Sequence, residues 1–323
     1  MAQTHERRER NQKGEMSGVE QAIQIAGIAC DVVVLLFKFV YFFFESIYRK
    51  FVPAVEESVK GEVVLVTGAG HGIGKQLATQ YASHGATVVC WDINAENNAA
   101  TVADIAKKGY PKAYSYSCDV SNRQVVFDTV AKVKKDVGDI TIIVNNAGIM
   151  PTHRLLDHTQ QEIERIFGIN VLAHFWIIQA ILPSMIKNKH GHIVNISSCA
   201  GLFGLENLVP YCASKFAVVG LSEALYQELK LYPGCNVKTT VICPYMVDTG
   251  LCKNPVMRFK STMQMETPEA VAAAVISAQR RGEKAITVPD WYFYLSTTVR
   301  TWPMNSADAL KDFLGARLES DLH

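Results

Sequence analysis

The sequence predicts an α/β protein: a doubly wound parallel sheet of about seven strands, with a long apolar helix before it. Three observations carry this. Short runs rich in Val and Ile recur from Val63 to Val288, separated by helical stretches. Most of these runs lack polar residues at every second place, so their strands are covered on both faces. Strand–helix alternation at this spacing demands crossover helices and hence parallel strands. The composition agrees: 49% of the 323 residues are apolar and 20% are charged, enough for a sizeable core and too apolar for disorder.

Residues 1–20 are charged and read as a disordered N-terminus. Residues 21–52 are a hydrophobic segment, in which VVVLLF and FVYFFF are parted only by Lys38. Residues 21–44 alone would span roughly 36 Å as a helix, against a bilayer core of about 30 Å. Asp31 and Lys38 count against a simple span, since each costs about 3 kcal/mol at a bilayer centre. They lie seven apart, on one helix face. Three readings stay open: a membrane-spanning anchor, a helix or hairpin lying in the membrane surface, and a buried core helix. A cleaved signal peptide is disfavoured, because the run ends in ESIYRKF without small residues. Basic residues flank both sides and leave the orientation undecided.

After Pro53 the strands are expected at 63–66, 86–91, 113–118, 140–144, 192–196, 237–242 and 285–288. Helices are expected at 75–83, 95–108, 123–137, 159–187, 211–231 and 268–280. One domain from about 60 to 290 holds them all. Residues 291–323 begin with the aromatic run PDWYFYLSTTVRTW at 289–302, read either as a core cover and pocket wall or as a membrane contact.

The first strand–turn–helix reads VVLVTGAGHGIGKQLA, with Gly68, Gly72 and Gly74 in the turn. Glycines here permit a tight turn and let backbone amides at a helix N-terminus approach a pyrophosphate. The fold is therefore of Rossmann type, and His71, Gly72 and Ile73 are candidate phosphate contacts. Asp92 ends the second strand. A carboxylate there accepts hydrogen bonds from an adenosine ribose and repels a 2′-phosphate, and the neighbouring Ile93 offers no cation. NAD is therefore expected over NADP.

The spacing G-x-x-x-G-x-G resembles that of the short-chain dehydrogenase/reductase family, and the likeness runs along nearly all of residues 60–290. The resemblance implies further roles. Asp119 and Val120 are similar to the family's adenine-contacting pair. Asn146, Ala147 and Gly148, within Asn145-Asn146-Ala147-Gly148, resemble its NNAG motif beside the cofactor. Tyr-x-x-x-Lys occurs twice, as Tyr211/Lys215 and Tyr226/Lys230, so that pattern alone decides nothing. Ser198, 13 residues before Tyr211, breaks the tie. Asn170 resembles the family's fourth member, a proton-relay position; the alternative is a helix-kink Asn bonding backbone. Pro244, Val247 and Thr249 match the segment that receives the nicotinamide amide. Tyr245 departs from the usual Pro-Gly there.

The chemistry explains these residue types. Oxidising an alcohol removes a hydroxyl proton while hydride leaves the carbon. An unperturbed tyrosine, with a pKa near ~10, is a poor base at neutral pH. The Lys215 ammonium favours the phenolate of Tyr211 and can also bond the cofactor ribose. Ser198 holds the substrate oxygen.

Substrate is less legible. Residues 250–266, with Met257, Met263 and Met265, suit a lid over an apolar ligand. The hydrophobic N-terminus together with WDIN, NNAG, HFW, PSM, GHIV and PYCASK resembles a membrane-attached branch of the family that contains retinol and 17β-hydroxysteroid dehydrogenases. That branch implies a lipophilic alcohol as substrate, attachment to endoplasmic reticulum membrane or lipid droplets with the catalytic domain facing the cytosol, and a homodimer through the long helices. Two alternatives are an NADPH-dependent carbonyl reductase and a non-enzymatic lipid-surface protein.

Other features read blandly. A formal charge of +1 gives no electrostatic reason for a nucleic-acid partner. Eight cysteines without a C-x-x-C pair argue against structural zinc and for reduced thiols. No metal set is read around His190 and His192. Cys199 and Cys212 read as packing residues. The sequon at Asn195 lies in an expected core strand and reads as chance.

Overall fold

The computed structural model describes residues 18–251, 255–256, 258, 264–315 and 317–322. The chain divides into two units, Met1–Val55 and Glu56–His323. In the first, residues 1–17 of the charged N-terminus lie outside the described residues. The rest is one helix, α1 (Gly18–Phe51), 34 residues long. No proline interrupts it, Glu45 and Arg49 pair one turn apart, and Arg49 and Lys50 sit favourably at its C-terminal end. None of its residues is buried. A helix apolar around most of its surface is not stable facing water and requires an apolar environment. At ~1.5 Å per residue it is about 51 Å long, well beyond a bilayer core.

In the second unit, seven strands of the described residues form one parallel sheet: β1 (Val63–Thr67), β2 (Thr87–Asp92), β3 (Ala113–Ser117), β4 (Ile142–Asn145), β5 (Gly191–Ile196), β6 (Val237–Pro244) and β7 (Ala285–Val288). Their order is β3-β2-β1-β4-β5-β6-β7, with every neighbour parallel. The chain winds outward from β1 in one direction, then crosses to β4 and winds in the other. A crevice therefore opens at the C-terminal ends of β1 and β4. Helices α2 (Gly72–Ser83), α3 (Ala95–Lys107) and α8 (Pro268–Arg281) lie on one side of the sheet order. Helices α4 (Arg123–Asp136), α5 (Gln160–Phe167), α6 (Ala173–Asn188) and α7 (Val209–Leu229) complete the crossovers.

Both faces of the sheet are buried, as the unbroken apolar runs required. Val64, Val66, Val88, Cys90 and Val144 pack with Leu77, Tyr81 and Val275 on one face. Leu65, Val89, Trp91, Ile143 and Ile193 pack with Val126, Ile177, Ile181 and Met185 on the other. Each such side chain contributes about 1.5–3 kcal/mol by leaving water.

Two regions differ from the expectation. The helix expected over 159–187 is broken: a π-helical turn at Gly168–Leu172 separates α5 from α6. The buried Asn170 sits in that turn and bonds backbone outside the helix. The segment after β7, read as a single aromatic stretch, folds into α9 (Trp291–Val299) and α10 (Met304–Leu314). Tyr292 and Ser296, four apart, give α9 its buried face. Beyond α10, Arg317–Leu318 pairs antiparallel with Pro255–Val256.

Candidate active site

The glycine turn stands between β1 and α2. Gly68 and Gly72 have φ of +67° and +52°, which side chains rarely allow. Gly74 is fixed by space instead: a Cβ there would lie 1.9 Å from the Gly68 carbonyl oxygen and 2.7 Å from Asn146 Nδ2. Thr249 crowds Gly72, its Cβ and Cγ2 each 3.1 Å from where a Cβ would stand. His71 is exposed at the N-cap of α2. At the end of β2, Asp92 accepts hydrogen bonds from the backbone N–H of Gly70 (2.9 Å) and Asn94 (2.8 Å). One carboxylate oxygen binds the glycine turn and the other binds its own loop. Ile93 beside it is exposed.

Side chains tie β4 to β1. Thr67 Oγ1 accepts from the backbone N–H of Asn146 (2.9 Å) and Ala147 (3.0 Å), and Asn146 Nδ2 donates to the Thr67 carbonyl (2.9 Å). Beneath them runs a buried polar chain. Asn145 Nδ2 donates to Asn195 Oδ1 (2.9 Å), and Asn195 Nδ2 donates to Ser222 Oγ (2.9 Å). His174 Nδ1 bonds the same Asn195 oxygen at 3.1 Å, and burial pushes its pKa down to about 3. The sequon asparagine is thus a fully enclosed core residue.

Ser198 follows β5, and Tyr211 and Lys215 lie one turn apart on α7. Lys215 is buried, its Nζ donates to the Ile196 carbonyl at 3.0 Å, and burial lowers its pKa to about 8. The ammonium stands 5.7 Å from the centre of the Tyr211 ring. Ser198 Oγ accepts from the Ala200 N–H (3.1 Å) and donates to the Pro244 carbonyl (3.4 Å). Asn170 Nδ2 donates to the Ile149 carbonyl (3.0 Å) and to Ser214 Oγ (3.1 Å), while its Oδ1 accepts from the Ile149 N–H (2.9 Å). Ser214 Oγ in turn donates to the Tyr211 carbonyl (2.7 Å). The second Tyr–Lys pair lies further along α7. Tyr226 interacts with Lys284 and Lys230, which lower its pKa.

One cavity of about 950 Å³ joins these parts. Gly68, His71, Gly72, Ile73, Asp92, Asn146, Ala147 and Gly148 line one end. Ser198, Tyr211, Lys215, Pro244, Val247 and Thr249 line its middle. Gly74 and Asn170 stand behind that wall. Asp119, Val120 and Ile93 do not line it. Val120 is buried in the core, and Asp119 caps its own loop by accepting from Ser121. The Cys118 N–H donates to the Asp92 carbonyl (3.0 Å), which ties the start of the Asp119–Val120 loop to the end of β2.

The far end of the cavity was missed by residue-level reading. Met150, Phe203, Leu205, Tyr292, Leu314 and Leu318 give it a largely apolar wall, with the charged Arg258 and Asp312 beside Leu314 and Gly315. Tyr292 is the keystone, its ring 5.1 Å from Tyr245 and 5.8 Å from Phe203. The chain beyond α10 lies against this end. Asn207 Nδ2 donates to the Leu318 carbonyl (2.8 Å), and the Thr152 N–H donates to the Asp321 carboxylate (3.1 Å). Met265 packs in the same cluster as Tyr211 and Leu318. Met257 and Met263, the other expected lid methionines, lie outside the described residues. The aromatic run at 289–302 was the one available signal, and it supplies Tyr292.

The site fits a dinucleotide. Four glycines, Gly70 among them, remove the Cβ atoms that would crowd the turn, the N-terminus of α2 faces the cavity, and Asp92 is held in place by two amides. A doubly wound sheet with this turn at β1 is a nucleotide-binding domain of the oxidoreductase class. Comparison with known proteins identifies the group. Residues 62–257 match the short chain dehydrogenase family, and the chain belongs to that family. It is a dehydrogenase-type enzyme. It is 42% identical over 251 residues to short-chain dehydrogenase/reductase family 16C member 6 of Bos taurus, covering 78% of this chain and 79% of that protein. It is 41% identical over 264 residues to 17-beta-hydroxysteroid dehydrogenase 13 of Homo sapiens, covering 82% and 87%. Human epidermal retinol dehydrogenase 2 is 34% identical over 282 residues, covering 87% and 91%. Among solved structures, a short chain dehydrogenase/reductase from Burkholderia phymatum in complex with NAD superposes with a TM-score of 0.67 at 25% identity, covering 74% of this chain and 93% of that one. The branch expected from the sequence is the one in which these relatives fall.

Proposed function

We propose that this protein is a membrane-attached, NAD-dependent dehydrogenase of a lipophilic alcohol of the retinol, steroid or fatty type, with Tyr211 as general base. One observation carries the reading: the glycine turn with Asp92, the Ser198–Tyr211–Lys215 group and an apolar chamber are three successive parts of a single cavity.

The turn from Gly68 to Gly74 holds the pyrophosphate with backbone amides. Asp92 receives the adenosine ribose hydroxyls, and with Ile93 beside it leaves a 2′-phosphate no cation. Asp119 and Val120 border the adenine. Asn146, Ala147 and Gly148 form the floor, and Pro244, Val247 and Thr249 flank the nicotinamide. Bound there, NAD supplies the hydride acceptor. Ser198 orients the substrate hydroxyl, and Tyr211 takes its proton. Lys215, a buried cation near the phenol, stabilises the phenolate that must form before that transfer. The cost is desolvation of its ammonium, which is why its pKa falls. Asn170 holds the relay position: its Oδ1 and the Lys215 Nζ face the same side of Gly148, 3.3 and 3.7 Å from where a Cβ would stand. Residues 60–290 carry this chemistry, and residues 291–323 close the apolar chamber.

Helix α1, which covers all but the last of residues 21–52, is the anchor. Its length, apolar surface and lack of buried residues support insertion into a membrane. Endoplasmic reticulum membrane or lipid droplets, a cytosol-facing catalytic unit and a homodimer belong to the same proposal and rest on the branch resemblance.

The test is NADH formation by the membrane-fraction protein offered all-trans-retinol, estradiol and a long-chain alcohol. Tyr211→Phe is expected to lower turnover by roughly 10²–10⁴-fold, the usual range for a lost acid–base group, while NAD still binds. Substantial turnover by that variant would remove Tyr211 from its role. Deleting residues 1–50 is expected to move the protein to the soluble fraction.

A further inference from the structure

Between β4 and α5 lies a group of side chains that the hydride-transfer site does not use. His153, His158 and Glu162 bring one ligand atom each to within 4.8 Å of one another. Nε2 of His153 is 3.6 Å and Nδ1 of His158 is 4.0 Å from Glu162 Oε2. The two imidazole rings are 3.8 Å apart. None of the three lines the large cavity.

The two histidines are enclosed. Their side chains are 4% and 0% exposed, and none of their four ring nitrogens makes a hydrogen bond. The His153 backbone faces the His158 ring, but not in bonding geometry. Leaving a buried polar group unpaired ordinarily costs about 1–3 kcal/mol. Two adjacent imidazoles whose nitrogens make no hydrogen bond, both beside one carboxylate oxygen, are an arrangement a cation would complete.

The donor set selects the cation. Two imidazoles and a carboxylate suit zinc-type divalent ions, whereas magnesium and calcium prefer oxygen. Ligands about 2.0–2.1 Å from a tetrahedral ion stand roughly 3.3 Å apart, so Glu162 Oε2 must close on the two rings by about 0.3–0.7 Å, and no pair of ligand atoms by more than about 1.5 Å. Glu162 is 39% exposed and leaves one side open to water. Its anchoring is ready-made. Thr159 N–H donates to Oε2 at 2.9 Å in a capping box that opens α5.

We propose that His153, His158 and Glu162 bind a zinc-type divalent cation that fixes the segment between Met150 and α5. That segment matters because of its neighbours. Met150 lines the cavity, and Thr152 exchanges two backbone-directed bonds with Asp321 of the C-terminal tail. The ion acts one residue away from that contact, as a structural pin rather than a participant in hydride transfer. The spacing His-x₄-His-x₃-Glu carries the pattern, with no cysteine and neither His190 nor His192 taking part.

The test uses the full chain in detergent, stripped with a chelator and titrated with Co²⁺ and then Zn²⁺. One equivalent of Co²⁺ is expected, with d–d absorption and without a thiolate charge-transfer band, and Zn²⁺ should displace it. His158→Asn should abolish the signal. Glu162→Gln can still cap α5 and should weaken binding by at least ~10-fold. Retained NAD binding shows that each variant is folded. Zn²⁺ should raise the melting temperature of the wild type far more than that of Glu162→Gln. Equal Co²⁺ uptake by wild type and Glu162→Gln, a thiolate band, or no uptake by folded wild type would each overturn the site.

Discussion

The two ends of the cavity are built by different means. The cofactor end is made of strand ends and one tight turn, stitched by hydrogen bonds: Thr67 to two amides of the NNAG segment, Asp92 to Gly70 and Asn94, Asn145 to Asn195. Those residues are adjacent because the parallel sheet makes them so. The apolar end is assembled from Met150, Phe203, Leu205, Tyr292 and Leu318, contributed by four separate stretches of chain. It is held by ring contacts and by the tail. Hydrogen-bonded geometry tolerates little change, whereas apolar walls can be redrawn at moderate cost. One fold can therefore keep a fixed hydride chemistry and vary what it oxidises.

The sharpest way to break this contrast is at Gly74. Gly74→Ala places a methyl 1.9 Å from the Gly68 carbonyl. It should cost about 3 kcal/mol of stability and abolish NAD binding, read by calorimetry. Normal NAD affinity in that variant would mean that the turn is soft. Next in size, Asp92→Ala combined with Ile93→Arg should shift the NAD/NADP preference by roughly 100-fold toward NADP. An unmoved ratio of kcat/KM values would refute the role given to Asp92.

Acid should act on the packed sheet rather than on the apolar end. His174 and His192 are both held neutral by burial, with pKa values near 3. An unfolded chain binds these protons below about pH 6.5 and the folded chain does not, so stability falls as pH drops from 6.5 toward 3. The loss at pH 5 should be about 2 kcal/mol for each residue. Denaturant melts at pH 7 and pH 5 measure it, and His174→Asn should remove about half. The smallest effect is expected at the other end. Ending the chain after Gly315 removes Leu318 and Asp321, and should raise KM for a lipophilic alcohol by about tenfold while leaving NAD affinity unchanged. A matching loss of NAD affinity would show that the two ends are mechanically coupled.

The same contrast explains what could be read from the residues alone. The sheet was legible because strands buried on both faces must be apolar throughout, and six of the seven lie where runs of Val and Ile stand; the edge strand β3, AYSYS, is only partly buried and is marked by its place between two helical stretches. Gly68, Asp92, Ser198, Tyr211 and Lys215 were legible because backbone geometry and proton chemistry restrict what can stand there. The break at Asn170 was legible only as an alternative, a kink whose Asn bonds backbone, because nothing in FGINVLAHF specifies a π turn. Nor was the apolar wall: Leu205 or Leu318 becomes a pocket residue only through partners distant in sequence. Tyr292 was visible as an aromatic residue, but its position between Tyr245 and Phe203 was not.

Trp91 makes the cofactor end observable by light. Its indole is fully enclosed one residue before Asp92, and its N–H has no hydrogen-bond partner. Such an environment gives blue emission, in the band where reduced nicotinamide absorbs. Trp291 and Trp302 are about half exposed and emit further to the red. The fourth, Trp176, packs partly buried on α6 near Arg123, so in a Trp176→Phe background the blue edge of the spectrum would report filling of the crevice, while the red edge reports the aromatic surface near α9. No fluorophore need be attached.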